Sequence, residues 1–424
     1  MLNNDSVKRL CLYNLFNALA IAPATNLIFM DKLMLRMELE LTFIGYIKGF
    51  MYLAPAVLYF LMVPVLRRLQ ADVKITIYCY LARVILPVIL PILALMTGNK
   101  TILTLACIFV LSGAMTLAGF ANNSLMAIYR MAIPKETFNK DSGLITLCTN
   151  LPATIMGLPL AWILDLCEGA PGYWFYIVFA LIHIACIFFE IPAIKNLRAL
   201  PELKYPSQKH RQIYGAALRP FLDRKYQALL GLCFLNMVVY GMGTAYLMVY
   251  LLKERKFSIA LLTGIALALR VVGDFILPAT GRITDRIGYS RLFFILSGAM
   301  LTGNVLFCIF WEENWVLIPF AILAWNGVGS VVGGILFWGL SAAGSKLARP
   351  ALSENYIATF SLCSNGGIFA GAMLASLLME TARKMGGQDP YYTYFLMTLF
   401  FPILLFLCAA IYRYAGKGKK RMSR

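Results

Sequence analysis

Arg270 and Asp274 stand four residues apart inside a long apolar run and are the clearest candidates for chemistry in this chain. A guanidinium can hold a carboxylate or phosphate through two parallel hydrogen bonds. A carboxylate at depth in an apolar run is costly to keep and can serve to take up and release a proton. At 1.5 Å per residue, Arg270 lies roughly 16 Å from the outer end of its run and Asp274 one turn further in. Thr263, Arg270, Asp274 and Gly281 share one helical face at i, i+7, i+11 and i+18. An ion pair at i, i+4 that only neutralises two charges is the rival reading, and the sequence leaves both open. Lys48 lies about 8 Å from the end of its run and is expected to snorkel to the interface. Arg83, about 12 Å deep, is expected to pair or to snorkel inward. His183, within another run, reads as a hydrogen-bonded packing residue rather than a proton carrier.

A second constellation is made of amides. Asn14 and Asn17, Asn122 and Asn123, Asn236 with Tyr240 one turn away, and Asn326 next to Trp325 all fall on apolar runs. An amide both donates and accepts, which suits a solute bearing hydroxyl or carboxyl groups. The alternative is glue between helices, and Asn150, Asn304 and Asn365 on other runs keep it open. Enzyme chemistry has little to run on. Only two histidines are present, with no H-E-x-x-H, phosphate-binding loop or G-x-S-x-G. The ten cysteines show neither C-x-x-C nor metal-ligand spacing. No cofactor and no metal are expected.

The elements that must position these residues are twelve apolar runs, 8–30, 43–66, 75–96, 101–129, 141–166, 173–194, 226–252, 259–280, 291–311, 315–341, 354–382 and 391–414. About 20 apolar residues suffice for a helix to span the hydrocarbon core. Residues are 60% hydrophobic and 14% charged, as a multi-pass membrane protein requires. With the amino end inside, 27 of the 38 Lys and Arg fall on the inner side and eight on the outer. That bias places both termini in the cytoplasm, with the plasma (inner) membrane as the expected location. The net charge of +18 is then a topology signal, and no nucleic-acid partner is implied. The basic tail 415–424 can also touch anionic lipid headgroups. The first run has no small-residue cleavage site behind it and reads as a retained helix, not a signal peptide. Residues 195–225 form the one long polar connection, with eight basic residues and a stretch, Gln212 to Lys225, that could lie as an amphipathic helix on the inner surface. The expected organisation is a six-helix half over 1–194, a cytoplasmic linker over 195–225, a second six-helix half over 226–414 and the tail, in a monomer.

The connection between the eighth and ninth runs reads Gly281-Arg-Ile-Thr-Asp285-Arg286-Ile-Gly288-Tyr-Ser-Arg291. This G-x-x-x-D-R-x-G-x-x-R pattern resembles the signature loop of the major facilitator superfamily and stands where that family carries it. The resemblance implies an all-α membrane protein of two pseudo-symmetric six-helix halves. It also implies that runs one, four, seven and ten, with their asparagines, line a central cavity. Gly281, Asp285, Arg286, Gly288 and Arg291 would then form a gating loop. The equivalent first-half loop departs from the pattern: with Lys74 aligned to Arg291, Pro64 stands at the first glycine, Arg68 at the aspartate and Ala71 at the second glycine. The reversed charge suggests that Arg68 meets Glu354 at the start of the eleventh run, although Glu354 could equally complement its own helix dipole. The G-P-x-x-G-G run typical of drug–proton antiporters is missing, and so are the P-E-S and P-E-T elements of sugar porters.

The sequence therefore predicts a secondary transporter, not an enzyme. It would move a small polar solute, with an anionic one favoured, by alternating access, and Asp274 is the candidate carrier for proton symport. An exporter of lipids or amphiphiles and a non-transporting sensor on the same fold are the rivals.

Overall fold

A computed structural model describes residues 5–25, 27–69, 73–133, 138–167, 171–200, 219–311, 331–347, 353–385 and 389–421. Among these the regular structure is helical throughout. Among the described residues nine stretches are long and apolar enough to cross a membrane, and three shorter apolar helices, Leu151–Leu166, Ile259–Gly273 and Val331–Gly344, fall on the remaining expected runs. The chain forms two compact units. The first comprises Met1–Leu39, Val57–Arg211 and Lys256–Gly264, and the second Glu40–Ala56, Gln212–Arg255 and Ile265–Arg424.

In the first unit, α1 (Asp5–Thr25) packs against α7 (Phe138–Leu166), α8 (Gly172–Ile187) and α9 (Glu190–Arg198), and α4 (Val73–Ile85) packs against α6 (Lys100–Ala132). Tyr13, Tyr80, Leu125, Ile145 and Ala193 are buried together at this core. Helix continues well past residue 30 in the first run, where α2 covers Leu27–Arg36. Two expected runs are interrupted. The third passes through a 3-10 turn, Leu86–Val88, before α5 (Ile89–Met96). Pro87 opens that turn, because it has no N–H to give an α-helix. The sixth tightens where Phe188 and Phe189 donate to carbonyls three residues back, at 3.3 and 3.0 Å. Glu190 then begins α9.

In the second unit, the first half of α3 (Leu41–Leu69) packs with α11 (Arg224–Lys253) and α15 (Ser353–Lys384). The closeness of α11 and α15 depends on glycine. A Cβ at Gly241 would sit 2.3 Å from the Ile368 oxygen, and one at Gly371 would sit 2.3 Å from the Val238 oxygen. The two backbones touch where a side chain would otherwise stand between them. Before α11, Gln212 to Lys225 is not one helix in its described part. A single turn, α10 (Arg219–Leu222), stops at Asp223, whose extended backbone and carboxylate cap α11 at the Lys225 N–H, 3.1 Å away. Beyond α12 (Ile259–Ile287) follow α13 (Tyr289–Ile309), α14 (Val331–Leu347), α16 (Pro390–Thr398) and α17 (Phe400–Arg421). The last helix runs on through the basic segment from Lys417 to Arg421.

The expected loop between the eighth and ninth runs is almost absent. α12 runs to Ile287 and α13 starts at Tyr289, so Gly281 lies inside a helix and Gly288 alone makes the turn. Its φ of 81° and ψ of 154° belong to a region that only glycine enters at low cost.

Candidate functional site

In the first unit, polar side chains from four helices meet the aromatic core. Tyr13 on α1 and Tyr80 on α4 are both buried, with rings edge-to-face at 6.0 Å. The Tyr80 hydroxyl donates to Asn122 Oδ1 on α6 at 2.5 Å. Arg83, one turn along α4 from Tyr80, is 9% exposed, and its charge meets that of Glu190, which is 1% exposed at the start of α9. Arg83 therefore stays buried among the helices, within reach of the Glu190 charge. Glu190 is not among the residues that motif and spacing single out, although a carboxylate within the run 173–194 is itself a signal. Asn14 donates to the Leu10 carbonyl at 2.7 Å, and its oxygen accepts from the Thr149 hydroxyl of α7 at 3.1 Å. That is the behaviour of interhelical glue. Asn17 is buried, and its oxygen has no hydrogen-bond partner among the described residues. His183 is fully buried, packs its ring tilted against Phe179 at 4.7 Å and has Nδ1 2.9 Å from the Phe179 carbonyl, as a packing histidine should.

The second unit holds a matching cluster. Asn236, Tyr240 and Thr244 recur every four residues along one face of α11. Tyr240 is buried and its hydroxyl is hydrogen-bonded to Tyr52 of α3, with the Arg270 guanidinium of α12 near enough for its charge to act on it. Arg270 itself is exposed. Asn236 is fully buried, and neither end of its amide has a partner among the described residues. Lys48, one turn before Tyr52, does not snorkel. It is 4% exposed and donates to the carbonyls of Thr244 and Ala245. Those carbonyls come from a helix far away in sequence, and no property of the α3 run could have announced them.

The remaining expected site residues divide simply. Arg286 and Arg291 are exposed on either side of the Gly288 turn. Asn123, Asp274, Gly281, Asp285, Arg68 and Glu354 lie outside the residues whose side chains are described. Trp325 and Asn326 lie outside the described residues altogether. Among the described residues no three His, Cys, Asp or Glu side chains come together as a metal site would require.

The sequence model of the Major Facilitator Superfamily matches residues 10–372. The chain belongs to that superfamily. It is a multi-pass membrane transporter and not an enzyme. Among solved structures of the same fold, the nucleoside transporter NupG has a TM-score of 0.68 at 12% identity, covering 97% of this chain and 98% of that one. A bacterial homologue of the iron transporter ferroportin in its inward-facing state has a TM-score of 0.64 at 14% identity, covering 96% and 98%. A bacterial metal transporter has a TM-score of 0.61 at 15% identity, covering 97% and 99%. At such identities the likeness shows the fold alone. No curated protein matches the sequence significantly. For this superfamily member, each unit thus places one arginine where its charge acts on a buried tyrosine: Arg83 on Tyr80 and Arg270 on Tyr240.

Proposed function

We propose that this transporter moves a small polar, anionic solute by alternating access, coupled to protons, as a monomer in the plasma (inner) membrane with both termini cytoplasmic. One observation carries the anionic reading. Two guanidiniums within the spans are each set beside phenolic hydroxyls, and that combination of fixed charge and directional donors suits a carboxylate or phosphate. In this reading Asn14, Asn17, Asn122, Asn123, Asn236, Tyr240, Trp325, Asn326 and Arg270 contact the solute, and Asp274 is a proton carrier. Gly281, Asp285, Arg286, Gly288, Arg291, Arg68 and Glu354 act at the gates. The superfamily hosts solutes of many kinds on one fold, so the solute class is argued from these side chains and not from fold neighbours.

The test begins with a ligand-stabilisation screen of purified protein against carboxylates, phosphates, nucleosides, divalent cations and lysolipids, because a bound solute raises apparent stability by mass action. Counterflow of the best stabiliser into proteoliposomes follows. Stabilisation and counterflow by anions are expected. Counterflow by lysolipids alone would replace the reading with an amphiphile exporter, and binding without counterflow would replace it with a sensor.

A further inference from the structure

Glu190 opens α9 and shares its buried face with Ala193 and Leu197, at i+3 and i+7. Those two pack with Tyr13 and Tyr80, while Ile191 beside it is 64% exposed. Val84, next to Arg83 on α4, packs with Ala20 and Ile21 of α1 and with Ile187 and Phe189 just before Glu190. The carboxylate is therefore turned into the helices and away from lipid. Both of its oxygens are buried without a hydrogen-bond partner among the described residues. Its counter-charge is Arg83, acting through space. Closeness to a helix start favours a carboxylate, but that effect needs no burial. Burying an ionised carboxylate with no donor costs several kcal/mol, roughly. A protein that keeps such a group in a span has a use for its change of charge.

We propose that Glu190 is a proton-binding site and that Arg83 is the counter-charge it shares with the transported anion. The proposal rests on the anionic-solute reading above and adds to it a second proton site besides Asp274. Empty of solute, the Glu190 carboxylate and the Arg83 guanidinium balance each other. When an anion engages Arg83, the carboxylate takes one proton from water and becomes a neutral acid, while the guanidinium stays protonated throughout. The site is neutral before and after, so one proton accompanies each negative charge on the solute. Each ligand then favours the other's binding to the same degree. α9 packs against α1, α4 and α8. The titratable groups on the buried faces of those helices are Cys11 and Tyr13, Tyr80 and Arg83, and His183 and Cys186. Of these, Arg83 acts on Glu190 through its charge.

The experiment is infrared spectroscopy of the purified protein in lipid nanodiscs, following the protonated-carboxyl stretch as the pH is lowered. A band that grows with acidification is expected in the wild type, is lost in Glu190→Gln, and persists at a displaced frequency in Glu190→Asp. Glu190→Asp, which keeps a carboxyl at the site, carries the assignment even if Glu190→Gln does not fold, and carboxyl-¹³C-labelled glutamate then shows that the wild-type band belongs to glutamate and not aspartate. Adding iodide, a small monovalent anion, to protein held in zwitterionic buffer at constant pH should enlarge the band in the wild type and do nothing in Arg83→Gln. A carboxyl region that responds to pH identically in the wild type and in Glu190→Asp overturns the proton site. A band indifferent to iodide overturns the sharing of Arg83. Counterflow is measured separately: if it fails while the band responds, the transport reading falls and the proton site stands.

Discussion

The Lys48 ammonium donates to the main-chain carbonyls of Thr244 and Ala245, at 2.6 and 3.1 Å, across sequence separations of 196 and 197 residues. Nearby, Gly45 lets the Ser376 and Tyr246 side chains approach the backbone of α3, and the Tyr246 hydroxyl donates to the Leu41 carbonyl at 3.0 Å. The start of α3 is thereby tied to α11 by polar contacts inside an apolar surround. A hydrogen bond from a charged donor contributes about 1.5–3 kcal/mol net. Lys48→Met keeps the length of the side chain and removes the donor, so it should lower stability by about 2 kcal/mol. Thermal unfolding in one detergent measures this. A change within about 0.5 kcal/mol, the usual range for surface substitutions, would mean that the ammonium reaches water instead.

Within the first unit, Asp165 late in α7 accepts from the N–H groups of Ile259 and Ala260 at 2.9 and 2.8 Å. It satisfies two donors that a helix start leaves open, and it does so from another helix. Asp165→Ala should cost about 1 kcal/mol, the ordinary worth of an N-cap. Asp165→Asn keeps an acceptor and should cost less. Equal losses in the two variants, read from unfolding curves, would mean that charge and not hydrogen bonding makes the contact.

The glycines of α15 should separate by position. A Cβ at Gly371 meets the Val238 oxygen at 2.3 Å and the Met242 nitrogen at 3.0 Å, and backbone cannot rotate aside as a side chain can. Gly371→Ala should therefore destabilise by about 1–3 kcal/mol or abolish folding. Gly366 has nothing within 4 Å of its Cβ position. There alanine should be neutral or stabilising by up to about 1 kcal/mol through helix propensity. Yield and unfolding temperature of the two variants decide it, and a Gly371→Ala protein as stable as Gly366→Ala would show that α11 and α15 are not in backbone contact.

Topology is tested by single cysteines in a background lacking the ten native ones. Positions in 195–225 and 415–424 should resist an impermeant thiol reagent in intact cells, and positions in Lys253–Phe257 should react. Labelling of a linker position from outside would invert the orientation.

The sequence alone determined the class of the molecule. Hydrocarbon cannot satisfy a backbone, so each crossing must be a long apolar helix, and such helices are visible in composition. Gly288 was legible for a similar local reason: a turn with positive φ calls for glycine wherever it occurs. Position along one helix is equally readable, since a period of 3.6 residues sets Asn236 and Tyr240 on one face whatever that face meets. The tertiary structure alone decided which helix it does meet. Lys48 looked like a residue bound for the interface and is held by carbonyls of α11. Asp165, near the end of the run 141–166, caps a helix that begins 94 residues later. Glu190 is one carboxylate among apolar neighbours until α4 brings Arg83 toward it. Periodicity and hydrophobicity are properties of a segment. A partner is a property of packing between segments, and backbone-to-backbone approach at Gly241 and Gly371 decides that packing at a scale no local pattern encodes.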